Sequence, residues 1–257
     1  MKLRLVDLGT ISGDRAYLFE GADPGPKCQL AMIGAIIEHP KAGVILYDVG
    51  AAANANELRH PAARESFPVT SYTDDNRLDK VLNKLGYELK DVKAIVLSHL
   101  HWDHAGGLEF FRGLRVPLYV HEAELKYAYY AVATREDLGG YHRHYMDLRF
   151  NWKAIHGSEM ELFDGVKVVL TPGHTPGLLA LKVDLKNAAP FVITSDTFFF
   201  KANYYEEKPQ GWLMRDRHAW WDSLRRIQNL AARSEANVVL GHDPEILAEY
   251  TKEPYYD

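Results

Sequence analysis

Three imidazoles and one carboxylate fall within the six residues His99-Leu100-His101-Trp102-Asp103-His104. Histidine nitrogens and carboxylate oxygens are common protein ligands of zinc and other first-row cations, so this cluster is a candidate metal site. It follows Val92-Lys93-Ala94-Ile95-Val96-Leu97, an apolar, β-branched run that reads as a buried strand. On an extended chain, His99 and His101 alternate and point the same way. Gly106 and Gly107 are then expected to permit the tight turn by which the chain leaves the strand. Packing gives no reason to place four ligating side chains at one strand exit.

Three more segments repeat the design of an apolar strand ending in a metal-capable residue. Val168-Val169-Leu170 leads into Thr171-Pro172-Gly173-His174-Thr175-Pro176-Gly177, Phe191-Val192-Ile193-Thr194 into Ser195-Asp196, and Val238-Val239-Leu240 into Gly241-His242-Asp243. Strand ends far apart in sequence can converge on one edge of a sheet. The pooled inventory is five histidines and two aspartates: His99, His101, Asp103, His104, His174, Asp196 and His242. A closed structural zinc site needs only four ligands, whereas this set suits two ions sharing a carboxylate. Two divalent cations exceed the charge that two carboxylates and a bridging hydroxide remove, which favours chemistry that builds an oxyanion. Zinc, iron, cobalt and manganese all suit these ligands.

With these residues in view, the chain resembles the metallo-β-lactamase superfamily, whose HxHxDH signature is His99 to His104. Within it the likeness is to the N-acyl homoserine lactonases, through Asp48-Val49-Gly50, Ser98 to Gly107, Thr171 to Gly177, Asp196 with Lys201-Ala202-Asn203, and Gly241-His242-Asp243. The first of these departs from the family's usual Asp-Thr-Gly. The resemblance implies an α/β (α+β) fold, an αββα sandwich with a binuclear, usually zinc, centre at one edge. By its pattern His99, His101 and His174 hold one metal, Asp103, His104 and His242 the other, and Asp196 bridges. Asp48 is then expected behind the centre, orienting a ligand imidazole.

The same resemblance implies a quorum-quenching hydrolase that opens a lactone ring through a metal-bridging hydroxide, with Asp103 orienting the attack and carrying the proton. Family lactonases usually carry a tyrosine three residues after the bridging aspartate; here that position is Phe199, which keeps the ring and loses the donor. Phe199 thus keeps open an alternative substrate for the same fold: another lactone, an aryl ester or a phosphodiester. Di-iron oxygen-reducing domains also share this fold, but they work with a flavin domain that this chain does not display. Trp102, Phe199, Phe67, Tyr141 and Met146 are candidate walls for an apolar acyl tail.

The scaffold reads as one domain over residues 1–257. Apolar content of 47% and charged content of 25% are those of an ordinary globular chain, and a net charge of −5 argues against a nucleic-acid partner held by phosphate contacts. One cysteine, Cys28, allows no internal disulfide and fits a reducing, cytoplasmic setting. Met1 to Val6 begins like a signal peptide, but Asp7 and then Gly9 to Asp14 break any apolar core. No stretch is long enough to span a bilayer. The expected partner is a small lactone, with a homodimer left open.

Further elements are expected as follows. Thr73-Asp74-Asp75 caps a helix running to Leu85, and Glu122 to Ala133 and His218 to Arg233 form two more. Asp164-Gly165 turns a hairpin. Ala51 to Thr73 shows no period and reads as a long functional loop. His142 and His144 form a second alternating pair without nearby carboxylates, and are expected at a solvated position or a pocket rim.

Overall fold

In the computed structural model, which describes residues 1–137 and 139–257, two sheets pack face to face. Seven strands, β1 (Lys2–Asp14), β2 (Lys27–His39), β3 (Gly43–Tyr47), β4 (Val69–Ser71), β5 (Val92–Val96), β6 (Pro117–His121) and β7 (Asn151–Ile155), order as β4-β1-β2-β3-β5-β6-β7. Five more, β8 (Glu159–Phe163), β9 (Val166–Leu170), β10 (Leu179–Val183), β11 (Phe191–Ile193) and β12 (Asn237–Val239), order as β12-β11-β10-β9-β8. Strand alternation sorts the side chains into two cores. Ile37, Ile45, Ala94 and Val96 point between the sheets, meeting Val168, Leu179 and Leu181. Ile36, Leu46 and Ile95 point the other way, toward the helices Leu78–Lys84 and Glu122–Thr134. The helix Arg217–Ser234 covers the second sheet through Trp220, Leu224 and Ile227. This is the helix–sheet–sheet–helix sandwich.

The expected hairpin forms at Asp164-Gly165, with Gly165 at φ +76°. The helix expected from Thr73 begins only at Leu78. Thr73 and Asn76 instead spend their side chains on a local turn, Asn76 Oδ1 accepting from the Thr73 amide at 3.1 Å and Thr73 Oγ1 from the Asp75 amide at 3.2 Å. The aperiodic stretch from Ala51 to Thr73 contains two short helices, Ala55–Leu58 and Pro61–Ser66, and edge strand β4. These pieces are too short to leave a period.

β3, β5, β6 and β7 run parallel to one another, as do β11 and β12. Their carboxyl ends therefore lie on one edge, and every candidate ligand follows such an end or, for His174, the end of β9.

Candidate metal centre

Beyond β5 the chain bends at Ser98 and is extended at His101, then forms the one-turn helix Trp102–Ala105 that carries Asp103 and His104. Gly106 sits at φ −59°, so the glycine pair is not there to supply left-handed turn conformations. Its purpose is close approach: a Cβ on Gly107 would stand 2.1 Å from the Val49 carbonyl oxygen, and one on Gly106 2.5 Å from the Ala52 amide nitrogen. The turn is thereby laced to the Asp48–Ala52 loop, the Val49 amide donating to His104 O at 2.8 Å and the Gly107 amide to Gly50 O at 2.9 Å.

All seven candidate ligands are buried and meet at one place. They form two groups, His99, His101, His174 and Asp196 in one and Asp103, His104 and His242 in the other, with the potential ligand atoms of each group within 4.8 Å of one another. Asp196 faces both groups. Its Oδ2 lies 3.2 Å from His174 Nε2 and 3.6 Å from His99 Nε2, while Oδ1 lies 3.1 Å from His104 Nε2 and 3.0 Å from His242 Nε2. Asp103 Oδ2 stands 3.6 Å from His104 Nε2 and 3.7 Å from His242 Nε2.

The far nitrogens of His99, His104 and His242 are committed, while His174 Nδ1 is buried without a partner. His104 Nδ1 donates to Asp48 Oδ2 at 2.8 Å, and His242 Nδ1 to Ala31 O at 2.8 Å. Ser98 Oγ donates its proton to Asp48 Oδ2 at 2.7 Å, so toward His99 Nδ1, at 2.9 Å, it accepts. These bonds leave the Nε2 lone pairs aimed inward, where His99 Nε2, His104 Nε2 and Asp196 Oδ1 have no hydrogen-bond partner. Convergent, unpartnered, basic atoms of this kind are what two cations would satisfy, so the residues fit the pair of ions. Asp48 and Ser195 hold left-handed backbone, φ 57° and 45°, a strain of order 1–3 kcal/mol each. Both residues belong to the same network: Asp48 Oδ1 accepts from the Ser98 amide at 2.7 Å, and Ser195 Oγ donates to Ser98 Oγ at 2.9 Å.

Electrostatics divides the two groups. Burial, reinforced by neighbouring imidazoles, holds His99 and His101 well below the ordinary histidine range, with Arg215 adding to the effect at His101. They are neutral at pH 7, the state a metal requires. Burial acts the same way on His104, but Asp196, Asp103 and Asp48 outweigh it and raise that imidazole well above the ordinary value; His242 is raised too, chiefly by Asp196 against its burial. Burial pushes Asp196 up, yet His242, His104 and His99 together hold it well below the ordinary carboxylate range.

His101, Asp103, His174, Asp196 and His242 face a cavity of about 570 Å³ whose other walls include Trp102, Phe67, Phe199, Ile11, Leu30 and Trp212. Phe199 is fully buried, its ring centroid 5.4 Å from that of His174 and 5.5 Å from that of His242. Two of the expected walls stand elsewhere. Met146 is buried in the core beneath the first sheet, and Tyr141 packs edge-on against His101 at 4.7 Å with its hydroxyl turned away to Glu124. A phenol that finds a buried acceptor is held by it rather than offered to the cavity.

Arg215 is a site residue that sequence reasoning missed. It pairs with Asp137, donates to His174 O at 2.7 Å and brings Nη2 to 3.3 Å from His101 Nε2. Lying in a loop of mixed composition with no motif around it, it carries no readable sign. Trp212 was missed as well, although an aromatic beside Gly211 in a polar stretch was a usable clue.

A sequence profile of the metallo-beta-lactamase superfamily matches residues 35–242. An N-acyl homoserine lactonase from Bacillus sp is 30% identical over 247 residues, spanning 95% of this chain and 94% of that protein. A solved N-acyl homoserine lactone hydrolase with the product N-hexanoyl-L-homoserine bound at its catalytic metal centre superposes with a TM-score of 0.88 at 26% identity, over 100% of this chain and 98% of that one. AidC, a dizinc quorum-quenching lactonase, shares the fold at 16% identity and a TM-score of 0.68, over 94% and 87% of the two chains.

Proposed function

This chain belongs to the metallo-β-lactamase superfamily, and from that premise we propose that it opens the ring of N-acyl homoserine lactones by metal-dependent hydrolysis, a quorum-quenching activity. The observation that carries this reading is Asp196, which turns one oxygen to each ligand group at the floor of a cavity with largely apolar walls. His99, His101 and His174 would hold one ion and Asp103, His104 and His242 the other, with Asp196 placed to serve both. Zinc is the first choice for both. When bound, the two ions supply Lewis acidity, polarising a carbonyl oxygen and lowering the pKa of water toward neutrality.

The chain's own residues do the rest. Asp103 Oδ2 is turned to His104 and His242, and the carboxyl's other oxygen orients the attacking water. The water oxygen forms the new bond to the lactone carbonyl carbon, and the bond from that carbon to the ring oxygen breaks. Asp103 passes one proton of the water to the departing ring oxygen, and the second is released to solvent as the new carboxyl ionises, leaving an N-acyl homoserine with a free carboxylate and a hydroxyl. Trp102, Phe67, Phe199, Leu30 and Ile11 receive the acyl tail and exclude water from it. Asp48 fixes the tautomer of His104.

The whole of residues 1–257 acts as one unit in this reading. Its single cysteine goes with a cytoplasmic setting, and no described helix is long and apolar enough to cross a membrane. Phe199 is the observation that favours a second reading, a same-fold hydrolase of another lactone, an aryl ester or a phosphodiester, because no hydroxyl stands at that ring. Purified protein, with its metals counted by elemental analysis, is assayed on acyl homoserine lactones of graded tail length, simple lactones, an aryl ester and a phosphodiester. Acyl homoserine lactones are expected to turn over fastest. Activity confined to the phosphodiester would sink the proposal.

A further inference from the structure

Glu124 lies in the first turn of the helix Glu122–Thr134, outside the cavity, and is fully buried. Its carboxyl group accepts three hydrogen bonds from three separate segments. Oε1 accepts from the Leu100 amide at 2.9 Å and from the Tyr141 hydroxyl at 2.8 Å, and Oε2 from the Gly177 amide at 3.3 Å. Leu100 stands between His99 and His101. Gly177 closes the loop that carries His174, and a Cβ there would lie 2.2 Å from the Glu124 amide nitrogen, so the loop is pressed directly onto this helix turn. Tyr141 stacks edge-on against His101, ring centroids 4.7 Å apart. One buried carboxyl therefore touches the supports of His99, His101 and His174, and its path toward the other half runs through the His101 carbonyl, which accepts from the His104 amide at 3.1 Å.

We propose that Glu124 is a positioning residue for one of the two metal ions, pre-setting the three-histidine half of the centre and leaving the other half unaffected. A carboxyl can accept on both oxygens at once, which is what three donors from three segments require. An amide cannot: in Glu124→Gln the NH2 group would face either the Gly177 amide or the Leu100 amide and Tyr141 hydroxyl, donor against donor. The freed loop would carry His174 out of register with His99 and His101. Partners of this outer kind typically govern metal affinity by 10–100-fold.

The inference rests on the two-ion part of the proposed function and is independent of its substrate, so the test reads metal affinity alone. Zinc is titrated against a competing chelator in two backgrounds: His242→Ala, which leaves the three-histidine half, and His174→Ala, which leaves the half built on Asp103 and His104. Adding Glu124→Gln is expected to weaken zinc binding about 10–100-fold in the first background and less than about twofold in the second. Tyr141→Phe keeps the ring and the carboxyl and removes one donor. It is the milder variant should Glu124→Gln fold poorly by circular dichroism, with an expected loss of about fivefold in the first background only. Equal weakening in both backgrounds would mark Glu124 as a general fold residue and overturn the proposal, as would undiminished affinity in the first. A wild-type chain that takes up fewer than two ions would overturn the two-ion reading and this inference with it, whereas failure on lactone substrates alone would leave this inference standing.

Discussion

His99 and His101 are separated by one residue, and so are His142 and His144. The ring centroids lie 4.5 Å apart in the first pair and 6.0 Å in the second, and His99 in the first and both rings of the second leave Nε2 buried without a partner. The difference lies in what faces them. Around the first pair stand His174 and the carboxylate of Asp196, with Ser98 holding the far nitrogen of His99. Around the second pair stand cations. Burial, the His144 imidazole and Arg59 push His142 down to about 4 against a smaller pull from Asp103, and burial with Arg112 pushes His144 down to about 4. A bare imidazole nitrogen becomes a metal ligand where further ligands converge on the same point, and without them it remains a neutral packing group; a guanidinium alone does not decide, since Arg215 stands beside His101 too. Alternating spacing is common to both outcomes and decides neither.

The sharpest test of the first region is Asp103→Asn, which keeps shape and removes the proton carrier. Its kcat is expected to fall at least about 100-fold with KM changed less than about threefold, measured by steady-state kinetics on protein whose metals have been counted. Unchanged turnover would remove Asp103 from the proton path.

Next in size is a paired substitution. After dialysis against a weak chelator, His101→Ala is expected to lose at least one ion, its affinity down by about 10–100-fold or more, while His142→Ala keeps the wild-type complement. Equal losses from the two variants would erase the contrast between the pairs.

A smaller gain is expected from Phe199→Tyr. The ring packs against His174 and His242, where a hydroxyl could donate to the substrate, and one new hydrogen bond is worth about a fivefold rise in kcat on lactones. No rise would show that the oxyanion is already fully served.

The least effect, and one confined to the second region, is on stability against pH. Both His142 and His144 have folded values of about 4, below the ordinary 6.5. Between those limits the unfolded chain binds more protons, so their contribution is fully present above about pH 6.5 and is lost as pH falls toward 4. The metal-free melting temperature of the wild type should therefore drop more steeply across this window than that of the double variant His142→Gln/His144→Gln, by roughly 2–8 °C. Parallel curves would mean that the pair titrates normally.

Much of the centre was legible because each ligand directly follows an apolar strand. Val92 to Leu97 announced His99, and Val238 to Leu240 announced His242, through local patterns that survive in one dimension. The walls were legible only in part. Trp102 is tied to its place by ligands on both sides, whereas only an aromatic ring and an apolar chain mark Tyr141 and Met146 as walls in the sequence. Burial in a core and burial under a substrate look alike in a sequence. The helix start was misplaced because Thr73 can cap a helix or a turn, and Asn76 took it for the turn.

Residue types and strand-end punctuation determined by themselves that this chain carries two-metal ligands on a layered fold of strands and helices. They did so because ligand chemistry is set by the side chain and strand exit by its immediate neighbours. Tertiary structure alone decided that Asp196 faces both halves, that Glu124 reaches three segments at once, that Arg215 stands against His101, and that among the described residues His142 and His144 join no cluster of ligand atoms. Those are distances between atoms far apart along the chain, fixed by how the two sheets and their helices pack, and spacing in sequence does not encode them.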